Sequence, residues 1–280
     1  MPISETTKQY TFNKIANLDK ARLFAQNIIK LPSRNVVQPA MIPKTLFSFL
    51  LAASLLTPAA IYEAPIMAEI TADCKIYSDK TLNFPVGEVF AGQFVEILED
   101  FSTEIYKVFD YDDGISGWLA AEYLIIPPDT PTNKSILTRA DLERFANDNN
   151  YSSRSNFLII TDINRQKTHV FIKNGGSWGL VRSFDCSTGI NASPTTRGTF
   201  TISDRGTWFY SDRLASGAKY WLRFNGQYLY HSIPMDKHKN MLPGEDIVGE
   251  KRSSGCIRLM PDDAKWLFEN IPSGTTVIII

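Results

Sequence analysis

From residue 69 to the C-terminus the apolar residues come in short runs, and Gly, Asn, Asp and Pro stand between them. EITADCKIYSD, GEVFAGQFVEILEDF, YKVFDYDDG and GWLAAEYLII are rich in Val, Ile, Tyr and Phe. Branched and aromatic residues between turn formers fit a pleated surface, so the pattern predicts a mostly β chain. Residues 69–126 read as a small β-barrel, with Asp112-Asp113-Gly114 joining two runs as a tight hairpin turn.

The first 62 residues are different. Residues 1–44 hold seven bases and two acids, a net charge of +5. Residues 45–62, TLFSFLLAASLLTPAAIY, hold no charge, and the rest of the chain carries −6. An apolar stretch of this length is at the short end of the roughly 17–25 residues that span a bilayer. The Lys/Arg bias before it places the N-terminus in the cytoplasm and the body outside. Two readings stand: an uncleaved anchor with a basic cytoplasmic tail, or a cleaved signal peptide starting at Met41, with Lys44 as its n-region and small residues at Thr57 and Ala59. Residues 14–30 read as a basic helix, on the inner membrane surface or solvated. The overall net charge of −1 gives no case for a nucleic-acid partner.

With 280 residues there is room for about two domains. Residues 127–154 read as a linker with a short helix: Pro127-Pro128-Asp129-Thr130-Pro131 is semi-rigid, and Thr138 caps a helix with Asp141 three residues on. Residues 155–280 are again mostly β. Strands are expected at 157–161, 169–172, 198–202, 220–224 and 228–231, with Asn225-Gly226 as a two-residue turn. A helix opens at Pro261, with Asp262 and Asp263 in its first turn, and a strand closes the chain at 276–280.

Cys74, Cys186 and Cys256 are the three cysteines, and no C-x-x-C pair occurs. Metal and redox-motif readings therefore have no support, and an odd count leaves a cysteine to explain. Cys256 lies in Ser253-Ser254-Gly255-Cys256-Ile257-Arg258-Leu259, with polar and small neighbours rather than apolar ones. Gly255 lets the backbone approach a substrate, and amides of such a turn could hold an oxyanion. Arg258 supplies positive charge that favours a thiolate. His231, at the end of a β-run, is the candidate base for the thiol; the alternative is a buried cysteine and an ordinary histidine.

The order of these segments resembles the L,D-transpeptidase (YkuD-type) catalytic domain family. His231-Ser232, a gap, then Ser253-Ser254-Gly255-Cys256 is similar to its histidine and Ser/Thr-His-Gly-Cys signature. Cys186-Ser187-Thr188-Gly189 with Pro194 to Phe200, and Asp263 to Trp266 with Pro272, Gly274 and Val277, resemble its flanking segments. The likeness spans about 157–280. Residues 69–126 resemble a bacterial SH3-like domain through Ile76, Tyr77, Gly87, Val89, Tyr106, Val108, Gly117, Trp118, Tyr123 and Leu124.

The resemblance implies a small SH3-like barrel followed by an L,D-transpeptidase-type β-sandwich with one or two helices. It implies an extracytoplasmic enzyme acting on peptidoglycan stem peptides, with no cofactor and no metal. Cys256 would attack the carbonyl before the terminal D-Ala, His231 would move the proton, and the Ser232 carbonyl would orient the imidazole. The Gly255 and Cys256 amides would hold the oxyanion, and Arg258 would fix the loop or meet a substrate carboxylate. An acceptor amine would give a 3→3 cross-link and water an L,D-carboxypeptidase; a catalytically silent wall-binding protein is the third reading. Two departures stand out. Ser254 occupies the usual second histidine position, and the segment from Met235 to Arg252 is long, which suggests an enlarged loop or lid holding His238. Cys74, Cys186 and His169 are expected to be structural.

Overall fold

The computed structural model describes residues 65–212 and 214–280. The basic segment 1–44 and the apolar segment 45–62 lie outside the described residues. Among the described residues no helix is long and apolar enough to cross a membrane.

Residues 67–125 form a seven-stranded antiparallel sheet in the order β3-β2-β6-β5-β4-β1-β7. Its strands are β1 (Met67–Ile70), β2 (Cys74–Tyr77), β3 (Pro85–Val89), β4 (Phe94–Phe101), β5 (Ile105–Asp110), β6 (Ile115–Ala120) and β7 (Leu124–Ile125). Strict alternation builds its core. In β5, Tyr106 and Val108 point inward, where they meet Ile76, Val95 and Leu119. Cys74 is buried in the same cluster. Asp110 pairs with Ile115, so Tyr111–Gly114 is a four-residue loop, and Gly114 takes the left-handed conformation that closes it (φ 69°).

Residues 127–133 are fastened to the rest of the chain. Asp129 Oδ1 accepts from Asn191 N–H at 2.6 Å, and Asn191 Nδ2 donates to the Pro127 and Pro128 carbonyls. Helix α1 (Arg139–Asp148) starts with the capping box expected at Thr138 and Asp141.

A nine-stranded sheet follows, in the order β11-β16-β8-β9-β10-β15-β14-β13-β12. The strands are β8 (Phe157–Asp162), β9 (Lys167–Asn174), β10 (Ser177–Ser187), β11 (Gly198–Thr201), β12 (Arg205–Ser211), β13 (Ser216–Asn225), β14 (Tyr228–Ser232), β15 (Ile257–Leu259) and β16 (Thr276–Ile279). Helix α2 spans Pro261–Asn270, as its opening proline predicts. The Asn225-Gly226 turn is shifted by one residue. Asn225 still pairs with Tyr228, which leaves Gly226 and Gln227 as the turn.

β10 joins two halves of this sheet. Its first part pairs with β9 and its end, Cys186 and Ser187, pairs with β15. A bulge between Leu180 and Arg182 inserts one residue and exchanges the faces. Before it, Trp178 and Leu180 pack with Leu142, Leu158 and Phe171 in the cluster under α1. After it, Phe184 and Cys186 enter the main core with Ile159, Leu222, Tyr230, Leu259 and Leu267 of α2. Even-numbered residues of one strand thus serve both cores.

The main core contains one buried polar chain. Thr161 Oγ1 lies 2.8 Å from Tyr230 Oη and 2.9 Å from Thr168 Oγ1, linking β14 to β8 and β9. Buried hydroxyls must be paired, so this chain fixes how the halves meet. Tyr230→Phe is expected to cost about 1–2 kcal/mol. Urea unfolding of the parent and the variant checks this, and an unchanged midpoint would rule out a stabilising role for the hydroxyl.

Candidate active site

β14 and β15 are parallel neighbours, with Tyr230 opposite Ile257, His231 opposite Arg258 and Ser232 opposite Leu259. In parallel strands opposite residues share a face, and alternate residues along each strand do too. One face therefore carries Leu229 and His231 beside Cys256 and Arg258, and all four line a cleft of about 380 Å³. The other face sends Tyr228, Tyr230, Ile257 and Leu259 into the core.

The turn before Cys256 is held from several sides. Gly255 has φ 97°, and a Cβ there would stand 2.1 Å from Tyr228 Cε1. Only glycine lets that ring lie under the turn. Thr195 Oγ1 donates to the Gly255 carbonyl at 2.8 Å and accepts from Gly189 N–H at 2.9 Å. Gly189 in turn bridges to Ser253 in parallel fashion, which places the Ser187-Thr188-Gly189 segment beside the turn. Ser253 Oγ donates to the Cys256 carbonyl and accepts from Gly255 N–H at 3.2 Å. The Gly255 amide is thus engaged within the turn in this structure.

His231 is buried, and Phe209 packs edge-on against its ring at 5.6 Å. Its Nδ1 is 2.5 Å from the Ser232 carbonyl. A carbonyl only accepts, so Nδ1 carries the proton and Nε2 is left as the acceptor. Burial pushes the imidazole down to about 4, against the pull of the Ser232 carbonyl and helped by the Arg258 charge. Burial also pushes the Cys256 thiol up; the Leu229 backbone N–H, Arg258 and Arg223 oppose this and do not overcome it. The resting pair is a thiol and a neutral imidazole. Arg258 favours the thiolate, as its charge suggests, but burial outweighs it, and Arg258 is itself paired with Glu245 at 2.6 Å.

The Arg258–Glu245 pair assigns Arg258 to holding the segment 235–252. In this structure none of the residues 235–252 lines the cleft, so the segment does not cover it as a lid would. Met235 is bonded to Gly217 in both directions, Gly249 N–H donates to Cys186 O, and Arg252 N–H donates to Thr188 O. His238 sits exposed in the 236–240 turn, away from the cleft. Ser254 is exposed on the cleft wall. Cys186 and His169 are buried in the framework, and His169 Nδ1 lies 2.8 Å from Ser183 Oγ. Among the described residues no group of three or more His, Cys, Asp or Glu could hold a metal.

Sequence reasoning missed three contributors. Tyr228 carries the turn, and Gln166 clamps Thr188 through both its amide atoms at 2.7 and 2.8 Å. The end of β4 and the β4–β5 turn add Asp100, Ser102 and Thr103 to the cleft wall. Each meets the site through the fold rather than through a local signal in the sequence.

Residues 156–279 match the family model of the YkuD L,D-transpeptidase catalytic domain. The chain is 38% identical over 125 residues to "Putative L,D-transpeptidase YciB" of Bacillus subtilis (strain 168), covering 42% of this chain and 63% of that protein. It is 58% identical over 33 residues to "Probable L,D-transpeptidase ErfK/SrfK" of Escherichia coli (strain K12), covering 12% and 11%. The chain thus spans less than two thirds of the length of either relative. Among solved structures, a fused Zn-dependent amidase/peptidase/peptidoglycan-binding domain-containing protein from Clostridium acetobutylicum ATCC 824 is 29% identical at a TM-score of 0.43, covering 61% of this chain and 80% of that one. The sheet that carries His231 and Cys256 lies within the stretch, residues 156–279, that matches the YkuD-type L,D-transpeptidase catalytic domain.

Proposed function

We propose that this chain is a cysteine-dependent peptidoglycan L,D-transpeptidase of the cell envelope that makes 3→3 cross-links. The observation that carries the reading is the shared cleft face of His231 and Cys256, with the imidazole tautomer set by the Ser232 carbonyl. Cys256 Sγ attacks the carbonyl of the residue before the terminal D-Ala while His231 Nε2 takes the thiol proton. As the C–N bond breaks, His231 returns that proton to the departing D-Ala amine and a thioester remains. An acceptor amine then attacks the thioester, restoring the thiol and forming the cross-link; water in its place gives the L,D-carboxypeptidase product. Starting from a neutral pair avoids holding a buried ion pair at rest. Residues 69–126 are read as an SH3-like module and residues 45–62 as the signal or anchor that places the enzyme outside.

The decisive test is intact mass of the full chain incubated with a disaccharide-tetrapeptide. The expected adduct is substrate minus D-Ala, lost in Cys256→Ala, with cross-linked dimer in the same tube. No adduct with several stem peptides and a reduced thiol would establish the silent binding protein instead; loss of D-Ala without dimer would establish the hydrolase. His231→Ala is expected to slow acylation about 10²–10⁴-fold.

Acid dependence follows from the imidazole. Protonation of His231 removes the base, so activity is present above its pKa and is lost as pH falls through about 4. Acylation rates should be flat from roughly pH 5 to 8. A limb near the ordinary histidine value of about 6.5 would show instead that the base is not held neutral by burial.

A further inference from the structure

Part of the cleft wall comes from the first sheet rather than from the catalytic domain. Asp100 at the end of β4, with Ser102 and Thr103 of the β4–β5 turn, lines the same cleft as Cys256 and His231. The turn is locked to the catalytic domain: Tyr106 Oη donates to the Ala192 carbonyl at 2.7 Å, in the loop whose Thr195 holds Gly255. Ser102 and Thr103 both adopt left-handed backbone, at φ 61° and 60°. Residues with side chains are strained there, and such strain persists where a site requires a particular turn.

Asp100 is 5% exposed, yet its Oδ1 has no hydrogen-bond partner. Oδ2 accepts from Thr103 N–H at 3.3 Å, and the Ser193 hydroxyl approaches the carboxyl. Lys80 is the cation that acts on it, and Lys80 is shared with Glu99 at 3.5 Å and with the rings of Phe101 and Trp118. Across the cleft Arg258 is matched by Glu245. A buried carboxylate with an open acceptor costs stability unless a donor, best a cation, arrives.

We propose that the β4–β5 turn is a substrate-contacting wall of the catalytic cleft and that Asp100 is a specificity-determining residue that receives a primary ammonium group of the substrate. This rests on the transpeptidase reading of the cleft. The ammonium comes either from the side chain of the donor stem peptide or from the incoming acceptor. Burial holds the empty carboxyl above its usual range, and a bound ammonium would favour its ionised form.

The test compares the full chain with Asp100→Asn, which keeps the oxygen that Thr103 binds. Two donors are used, one with a free side-chain amine and one acetylated there, and the acyl-enzyme is partitioned between amine and water. If the donor supplies the ammonium, the parent acylates with the free-amine peptide at least about tenfold faster, and Asp100→Asn loses the preference. If the acceptor supplies it, both chains acylate alike, and Asp100→Asn diverts acyl-enzyme to water about tenfold more. Acylation with neither change overturns the inference and leaves the enzymatic reading standing. If no acyl-enzyme forms, equilibrium binding of the two peptides decides: an Asp100-dependent preference for the free amine keeps the inference and removes the enzyme, and its absence removes both. Thermal melting should show Asp100→Asn at least as stable as the parent; should that variant fail to fold, Asp100→Ser enters the same measurements.

Discussion

The parallel pairing of β14 with β15 is the constraint on which the site depends. Parallel neighbours cannot be joined by a tight turn, so the chain between them must leave the sheet and return. Residues 233–256 are that excursion, which is why the gap between His231 and Cys256 is long. The register then sets the chemistry: His231 opposite Arg258 brings Cys256 onto the same face. A slip of one residue in β15 would send Cys256 and Arg258 into the core and expose Ile257 and Leu259. Four buried apolar residues on the back of the pair, Tyr228, Tyr230, Ile257 and Leu259, oppose that slip.

Burial that secures the register also sets the protonation of the pair. Both groups are taken out of water, so each is driven to its neutral form, the imidazole to about 4 and the thiol upward. A sequence reading that counts only the nearby arginine points the other way, toward thiolate. Burial explains the difference, since it raises the thiol by more than the Leu229 amide, Arg258 and Arg223 lower it. Arg258 therefore does more for the return of the crossover to the sheet than for the acidity of Cys256.

Much of this was legible locally. Pro261 with two acids opened α2, Thr138 with Asp141 made the capping box, and the Gly-Cys turn after two serines pointed to the residue that lines the cleft beside His231. β10 and β12 were not legible as strands. In β10 the bulge at Leu180–Arg182 divides the apolar residues between two cores, so no single face emerges from the sequence. β12 is an edge strand with no fully buried residue, and its composition carries little signal. The lid reading of 235–252 failed because length alone does not distinguish a cover from a crossover; the bonds to Gly217, Thr188 and Glu245's partner Arg258 do. Asp100 could not be found from sequence, because its neighbours there are strand residues of another sheet.

The same geometry accounts for Ser254 standing where the resembling family usually has histidine. The conformation of the turn is set by Ser253, whose hydroxyl bonds to both Gly255 and Cys256, by Thr195 on the Gly255 carbonyl, and by Tyr228 beneath Gly255. Position 254 is exposed on the cleft side, outside that set of contacts. A smaller side chain there leaves the presentation of Cys256 intact and changes what the cleft offers to a substrate. With position 254 reduced to a hydroxyl and Arg258 bound to Glu245, the Asp100 Oδ1, which lacks a hydrogen-bond partner, stands in a cleft-wall residue of the first sheet. In the proposed reading, holding Cys256 and choosing its substrate are divided between the two sheets, and the bond from Tyr106 to the Ala192 carbonyl links them.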